Sequence, residues 1–225
     1  MIDMTSKGRE RNKRGEGAQL REEIVSAATR LLDGGTEQSV TLRAVAREAG
    51  ITAPSIYSHF ADRESILLAV AQDGFAELER LLREASAGSD DHASAGSGAT
   101  GARLSDPVER LRAVCAAYLD FAVRLPGRYR ILFGAAWDAP GSIERVPGLA
   151  AEVDGLGMGA FGVLAEAVAD CAAAGRSASK DARADAAALW VGLHGFAQLQ
   201  TAASLFPWPD GLLATIVDRL ALLQD

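Results

Sequence analysis

The chain has 225 residues and a mass of 23.5 kDa, with 48% hydrophobic and 24% charged residues, a composition that excludes a wholly disordered or fibrous protein. Its formal charge of −7, if evenly spread, argues against binding to nucleic acid. The first 64 residues, however, contain ten basic and ten acidic side chains, so the whole acidic excess lies beyond them. The two cysteines, Cys115 and Cys171, form no disulfide or zinc pattern, and no export signal is visible; we therefore expect a cytoplasmic protein.

Residues 186–209 contain no formally charged side chain over 24 positions, which is the length of a membrane span. Gln198, Gln200 and His194 would be costly in lipid, and Asp185 and Asp210 rather than lysine or arginine flank the stretch. We therefore predict a helix buried on several sides, with a second subunit as one candidate cover, and no association with membranes.

Apolar residues recur at spacings of three and four almost throughout, which predicts an all-α fold. The first helix is expected over about residues 17–33, ended by Gly34-Gly35. Three more helices are predicted, each beginning after a residue that can cap its first turn: Thr41, Thr52 and Asp62. The buried face of the last of these is predicted to comprise Ile66, Leu67, Val70, Phe75, Leu78, Leu81 and Leu82.

Beyond the fourth helix, the composition changes to Ser, Ala, Gly and Asp, which predicts a flexible linker over residues 86–104. Asp106-Pro107 then predicts the start of a new helix, and Pro126-Gly127 its end. The remaining prediction is a short helix up to Trp137, a loop over 138–147, and three helices over about 149–174, 180–205 and 209–223.

Residues Thr41–Phe60 have the pattern of a helix-turn-helix, in which Gly50 permits the tight turn between two short helices. The second helix, expected over residues 53–58, would enter the major groove of DNA and read base edges. Candidate DNA-binding residues on this helix and its cap are Thr52, Ala53, Pro54, Ser55 and Ser58. Tyr57, His59 and Arg63 have polar ends that can reach the phosphates on either side of the groove.

Each of these residues also has a purely structural interpretation. Tyr57 can lie at the rim of the core, His59 can be a solvated surface residue, and Thr41 can be a helix cap alone. Residues 7–14 contain five basic side chains against one acidic, which is typical either of an arm that adds contacts to DNA or of a solvated tail.

The stretch Arg21–Leu82, with IVSAATRLLDGG followed by SVTLRAVAREAGITAPSIYSHFADRESIL, resembles the N-terminal domain of the TetR family of bacterial regulators. The residues that carry the resemblance are Thr41, Val45, Ala46, Ala49, Gly50, Ile51, Ile56, Tyr57, His59, Phe60 and Leu67. It implies that Thr41 and Tyr57 contact phosphate and that the helix after Thr52 reads bases. Arg63 departs from the family pattern, where lysine is more usual, but keeps the charge.

The resemblance also implies a C-terminal helical bundle that dimerises and binds a small molecule. Residues 126–133 and 190–195 resemble motifs of the TetR subgroup named for its Trp-His-Gly signature. Candidate ligand-binding residues, chosen for aromatic character and helix face, are Tyr118, Phe121, Phe133, Trp137, Met158, Phe161, Trp190, His194 and Gln198. For most of these side chains, a place in the ordinary hydrophobic core is the alternative.

The resulting domain prediction is a basic arm (1–16), a helix-turn-helix domain (17–66), a connecting helix (67–85), the linker (86–104) and a ligand-binding and dimerisation domain (105–225). Gly157–Gly162 matches a dinucleotide-binding fingerprint literally, but its predicted helical surroundings lack the required strands, and the glycines are better explained by a cavity or a subunit contact. No catalytic constellation, metal-ligand cluster or cofactor motif is present, so no enzyme activity, metal or cofactor is expected.

Two functions remain open. The first is a DNA-binding transcriptional regulator, most simply a repressor, that acts as a homodimer on a palindromic operator and is released by a small-molecule effector. The second is a helical module for small-molecule binding or protein interaction that has no DNA function. The presence of Thr41, Tyr57 and Arg63, which fold stability alone is not expected to require, favours the regulator.

Overall fold

The computed structural model describes residues 16–88, 106–133 and 155–224. Within these ranges the chain forms nine α-helices, one short 3-10 helix and no β-strand, which confirms the predicted all-α fold. Residues 1–15 of the predicted basic arm, almost all of the predicted linker, Trp137 and the predicted loop at 138–147 lie outside the described residues.

The chain divides into two compact units, residues 1–70 and 71–225. The helices that begin in the first unit are α1 (Glu16–Asp33), a 3-10 turn (Glu37–Ser39), α2 (Leu42–Glu48), α3 (Ala53–Ile56) and α4 (Arg63–Ala87). Helix α1 packs against α2, and α2 packs against α3. Side chains from all four helices, together with Phe60 between α3 and α4, fill the core of this unit; they include Ile24, Leu32, Val45, Ile56, Ile66 and Leu67.

The predicted helix starts in this unit are confirmed. The Thr41 hydroxyl accepts a hydrogen bond from the Ala44 N–H at 3.2 Å, and an Asp62 carboxylate oxygen accepts one from the Ser65 N–H at 2.8 Å. Thr52 occupies the cap position of α3, although its hydroxyl bonds to the Ser55 hydroxyl rather than to the backbone. Gly50 has a φ of +67° in the turn between α2 and α3, which a side chain would strain.

The helices of the second unit are α5 (Pro107–Arg124), α6 (Pro126–Phe133), α7 (Met158–Ala173), α8 (Ala182–Ala202) and α9 (Leu212–Leu220). Helix α7 packs against α5 and α8, and α9 packs against α8 and α5. Asp106 caps α5 as predicted, because its side chain accepts a hydrogen bond from the Val108 N–H at 3.1 Å. The interior holds the fully buried Leu111, Leu189 and Leu193.

Four predicted helix boundaries need correction. Helix α4 continues to Ala87, so the first two residues of the predicted linker are helical. Pro126 does not merely end α5 but is the first residue of α6, where its missing N–H costs nothing. Helix α7 begins at Met158 rather than near residue 149, since Gly155 and Gly157 have φ values of +83° and +80°. Helix α9 begins at Leu212 rather than Pro209, because Gly211 has a φ of +73°.

The glycines around the start of α7 allow close packing against the C-terminal half of α4. A Cβ atom on Gly157 would lie 2.7 Å from a ring carbon of Phe75, and one on Gly159 would collide with the Glu79 carboxylate. These contacts explain the glycines without a nucleotide. In the described part of the chain no strand precedes them.

Helix α8 contains most of the uncharged stretch noted in the sequence. One side of it is buried through Ala186, Leu189 and Leu193, whereas Val191 and Leu199 on other faces are 67% and 51% exposed. The helix is not buried on all sides within this chain. No helix in the described ranges has both the length and the apolarity that crossing a bilayer requires.

The two cysteine thiols lie in the core of the second unit. Burial raises the pKa of Cys115 to about 12 and that of Cys171 to about 11. Both thiols are therefore protonated at neutral pH and are poor nucleophiles.

Candidate nucleic-acid interface and internal cavity

Helices α2 and α3 bring the predicted DNA-binding residues onto one short segment of the first unit. Most of these residues are exposed, and Tyr57, at the end of α3, is 61% exposed. Beneath them Ile56 and Phe60 are buried, as the sequence pattern predicted. The exposed members are Thr41, Thr52, Pro54, Tyr57 and Ser58, and the half-buried ones are Ala53, Ser55, His59 and Arg63.

Arg63, which was predicted to reach a phosphate, makes hydrogen bonds within the protein in this structure. Its Nε donates to the Val40 carbonyl at 2.8 Å and its Nη2 donates to the Glu37 carbonyl at 2.6 Å. Its remaining terminal nitrogen, Nη1, pairs with the Glu64 carboxylate at 2.8 Å. Two nitrogens of the guanidinium thus fasten the segment between α1 and α2 to the start of α4, and the third pairs with a neighbour on α4 itself.

This geometry corrects one premise drawn from the sequence. Arg63 ties the unit together and Thr41 caps α2, so fold stability gives a reason for both residues. Tyr57 has no such explanation, because most of its side chain faces solvent. Among the three residues, it carries the strongest indication of a binding role.

Two exposed arginines on α2 were not among the predicted DNA-binding residues. Arg43 and Arg47 lie four residues apart, on the same side of the helix that leads into the turn before α3, and both are exposed. Neither forms an ion pair with any described residue. Their four-residue spacing in the sequence was the available signal, and two exposed guanidinium groups on a helix that packs against α3 suit the recognition of phosphate.

The second unit contains a cavity of about 780 Å³, a size typical of a site for a small organic molecule. Its walls come from α4, α5, α6, α7 and α8 and are mostly aliphatic and aromatic. The lining includes Phe75, Leu78, Leu82, Val114, Tyr118, Leu132, Phe133, Met158, Phe161, Leu164, Trp190 and Leu193. Polar side chains are few, and the charged ones are Asp181 and Arg183.

Five of the nine predicted ligand-binding residues line this cavity: Tyr118, Phe133, Met158, Phe161 and Trp190. His194 is not among the lining residues but contacts two rings of this group. Phe121 is buried in the core, Gln198 is exposed on the surface, and Trp137 lies outside the described residues.

The cavity also has walls that the prediction did not assign to it. Phe75, Leu78 and Leu82 of α4 were predicted as a buried face, and the space they border is the cavity. Arg183 and Asp181 were not singled out, because single charged residues at the start of a helix carry no distinctive pattern. The Gly157 backbone completes the wall, in line with the proposal of a cavity beside these glycines.

Three polar side chains form a network that begins at the lining residue Tyr118 and continues behind the cavity wall. The Tyr129 hydroxyl lies 2.7 Å from Nδ1 of His194 and 3.2 Å from the Tyr118 hydroxyl. Every hydroxyl proton is used if Tyr118 donates to Tyr129 and Tyr129 donates to His194, which places the imidazole proton on Nε2. The Tyr129 and His194 rings are also stacked, with centroids 5.6 Å apart.

Burial keeps this network neutral. It raises the pKa values of both tyrosines, most strongly that of Tyr118, and it lowers the pKa of His194. Near neutral pH, the three groups therefore exchange hydrogen bonds without a net charge.

Helix α6 connects this network to α4. Phe133 packs edge-on against Phe75 with ring centroids 5.4 Å apart, and Arg128 forms an ion pair with Glu77. Leu132 occupies the space above Gly74, where a Cβ atom would lie 2.7 Å from it. A change in the cavity that moves α6 would thus act directly on the C-terminal half of α4.

Metal ligation finds no support in this part of the chain: across the described ranges, no three His, Cys, Asp or Glu side chains are grouped closely enough to hold a metal ion.

Sequence comparison with protein families matches two parts of the chain. Residues 24–70 match the family described as bacterial regulatory proteins, tetR family, and residues 111–221 match the one described as tetracyclin repressor-like, C-terminal domain. The second description does not mention the Trp-His-Gly subgroup, so that narrower prediction is not confirmed. No curated protein matches the chain in sequence.

Several solved structures share the fold. A protein of unknown function from Rhodococcus sp. RHA1 is 26% identical, with 91% of this chain and 95% of that one covered and a TM-score of 0.68. The fatty acid degradation regulator FadR from Bacillus halodurans is 15% identical, with 94% of this chain and 97% of that one covered and a TM-score of 0.59. A TetR family transcription regulator from Marinobacter aquaeolei VT8 is 16% identical, with 95% of this chain and 100% of that one covered and a TM-score of 0.57.

The hydrogen bonds of Arg63 predict a structural role. Arg63→Gln should lower the free energy of unfolding by about 1–3 kcal/mol, because it leaves two backbone carbonyls without their donor. Tyr57→Ala, at an exposed position, should change it by less than about 0.5 kcal/mol. Urea unfolding measures both values, and an Arg63→Gln chain as stable as the parent would contradict this role.

The lowered pKa of His194 predicts a specific pH dependence of stability. The unfolded chain binds a proton to this residue more readily than the folded chain, so its contribution is complete above the unfolded pKa and declines as the pH falls towards the folded one. Between pH 7.5 and pH 5, His194→Gln should therefore lose less thermal stability than the parent chain. His59→Gln, in the other unit, is the control, and equal losses in all three proteins would refute the assignment.

Proposed function

The chain belongs to the TetR family of bacterial regulatory proteins and is a DNA-binding transcriptional regulator; we propose that it is a homodimeric repressor, which leaves a palindromic operator when a small molecule fills its cavity. The observation that carries the proposal is the presence, in one chain, of an exposed helix-turn-helix and a separate apolar cavity of effector size. Because the operator lies in the bacterial cytoplasm, the proposal places the regulator there as well.

In this proposal, α3 enters the major groove and its small side chains approach the bases. Thr41, Arg43 and Arg47 of the cap and body of α2, and Tyr57 at the end of α3, would contact phosphates, and all four are exposed. Arg63 is assigned no DNA contact in this proposal; it stabilises the unit through its hydrogen bonds to the Val40 and Glu37 carbonyls. In a dimer, the two α3 helices would lie about 34 Å apart, one turn of the double helix.

The surface that would join two copies is the outer face of α8. With the half-buried Gly195, its exposed positions recur at spacings of three or four residues, and the only charged side chain within residues 184–202 is the half-buried Asp185, which bonds to Ser179. The exposed positions of this face are Ala184, Ala188, Val191, Gln198, Leu199 and Ala202. An uncharged, largely apolar stripe of this length on an isolated chain favours burial against a second copy.

Effector release would follow from the contacts of α6. A ligand in the cavity touches Phe133, and Phe133 packs on Phe75 of α4, a helix whose first residues belong to the DNA-binding unit. The ligand would favour a state in which the two α3 helices no longer match successive grooves. Its effect cannot exceed the difference between its binding free energies for the two states.

Members of this family are in general not enzymes, and the proposal assigns the chain no catalytic activity. The alternative, a helical module that binds small molecules or proteins but not DNA, is favoured by no particular observation. The test of DNA binding below decides between the two.

The exposed arginines of α2 give a quantitative prediction for DNA binding. With the DNA that flanks its own gene, the double variant Arg43→Gln and Arg47→Gln should bind more weakly than the parent. The slope of log affinity against log salt should fall in magnitude by about 2, since each lost phosphate contact removes about 0.9. Mobility-shift titrations at several salt concentrations measure this slope.

Arg219→Gln, which removes an exposed arginine of α9, is the matched control and should leave the slope unchanged. If the parent chain bound this DNA no better than unrelated DNA at every salt concentration, the repressor proposal would fail for this site. If only the double variant retained the parent slope, the phosphate assignment of α2 would fail.

The outer face of α8 gives a prediction for assembly. Val191→Arg should convert the dimer to a monomer, because the new charge would be buried against the partner. Val123→Arg alters a valine of similar exposure, 70%, on α5 and should leave the dimer intact. Sedimentation velocity measures the masses, and a dimer that survives Val191→Arg would exclude this face.

A further inference from the structure

One arginine in the cavity lining has no carboxylate partner, unlike most of the described arginines of the second unit. Seven described arginines of that unit each have a carboxylate within ion-pair distance: Arg80, Arg83, Arg110, Arg112, Arg124, Arg128 and Arg176. Arg183 has no such partner among the described residues. Its guanidinium lies over the Phe161 ring, 5.1 Å from the centroid.

Arg183 is also the only cationic residue in the cavity lining among the residues the structure describes. The neighbouring lining residue Asp181 caps α8, because its Oδ1 accepts a hydrogen bond from the Ala184 N–H at 3.0 Å. Arg183 and Met158 are exposed, so this end of the cavity faces solvent. The cavity therefore opens to solvent at one end, where the unpaired guanidinium of Arg183 can bind an anion.

From Arg183, a continuous aromatic wall leads inward. Phe161 contacts Trp190 with centroids 6.4 Å apart, and Trp190 contacts Phe133 at 6.0 Å. Phe133 contacts Tyr118 at 5.9 Å, where the neutral hydrogen-bond network begins. Arg183, Ala187 and Trp190 are spaced four and three residues apart on α8, so they share one face of the helix.

These features select for a particular ligand chemistry. The aromatic and aliphatic walls favour a ligand with a hydrophobic body. A charged ligand group buried among these walls would have no polar partner. At the solvent-facing end, a guanidinium binds a carboxylate through two parallel hydrogen bonds. A cationic ligand would instead meet Arg183 with the same sign of charge.

We propose that the cavity binds a hydrophobic carboxylic acid, whose carboxylate pairs with Arg183 and whose apolar body lies along Phe161, Trp190 and Phe133. The inference rests on the proposed function, in which this cavity is the effector site, and it names the chemical class of the effector. The Tyr118 end of the cavity receives the apolar terminus of the ligand.

The test measures binding to the full chain in the absence of DNA, by calorimetry and by thermal shift. Three probes share one chain length: decanoate, decan-1-ol and decyltrimethylammonium. Decanoate should bind at least about tenfold more tightly than decan-1-ol, and the cation should bind more weakly than the alcohol. Arg183→Gln should lower the affinity for decanoate about tenfold and leave the affinity for decan-1-ol unchanged.

Two further variants sharpen the result. Arg219→Gln, which removes an exposed arginine far along the sequence on α9, should bind decanoate as the parent does. Asp181→Asn keeps an oxygen for the Ala184 N–H but removes the negative charge. It should therefore raise the affinity for decanoate about threefold. Equal binding of decanoate and decan-1-ol, no binding of decanoate, or an unchanged affinity in Arg183→Gln would overturn the proposal.

Failure of this inference is distinguishable from failure of the proposed function. If decanoate binds through Arg183 but leaves the operator complex intact, the release mechanism fails and the ligand class stands. If decanoate does not bind but another compound both stabilises the chain and releases DNA, the ligand class fails and the repressor stands.

Discussion

The packing of α6 on α4 is the contact on which the cavity and its proposed role both depend. It is made possible by an absent side chain, because Leu132 fills the space that a residue larger than glycine would occupy at position 74. Phe75 then meets Phe133 edge-on, and the Arg128–Glu77 ion pair lies at the same contact. Since Phe75 and Phe133 also line the cavity, a ligand that displaces either ring would alter this contact.

Helix ends were the part of the fold that the sequence revealed best. Thr41, Asp62 and Asp106 are caps because short oxygen-bearing side chains satisfy free N–H groups locally, and this interaction needs no knowledge of the tertiary structure. The prediction placed the start of α7 too early, because the sequence does not distinguish a helical Gly155 or Gly157 from one with a positive φ. Propensity alone does not separate these two conformations of glycine.

Side-chain partners were predicted less well, for geometric reasons. The acceptors of Arg63 are backbone carbonyls more than twenty residues earlier, which no pattern of side chains reports. Gln198 was placed with Trp190 and His194 at steps of four residues, but each such step rotates a helical position by about 40°, so two steps move it about 80° away from the cavity. The acidic net charge was informative only after its distribution along the chain was counted.

The buried thiols have a practical consequence for measuring how the regulator moves. Because Cys115 and Cys171 are enclosed and their pKa values are far above neutrality, thiol-directed probes react slowly with the native chain. A cysteine introduced at the exposed Ser58, at the end of α3, would then be the site that takes up a spin label or fluorophore. In a homodimer this gives one matched pair of labels, whose separation reports the spacing of the recognition helices with little labelling of the native cysteines.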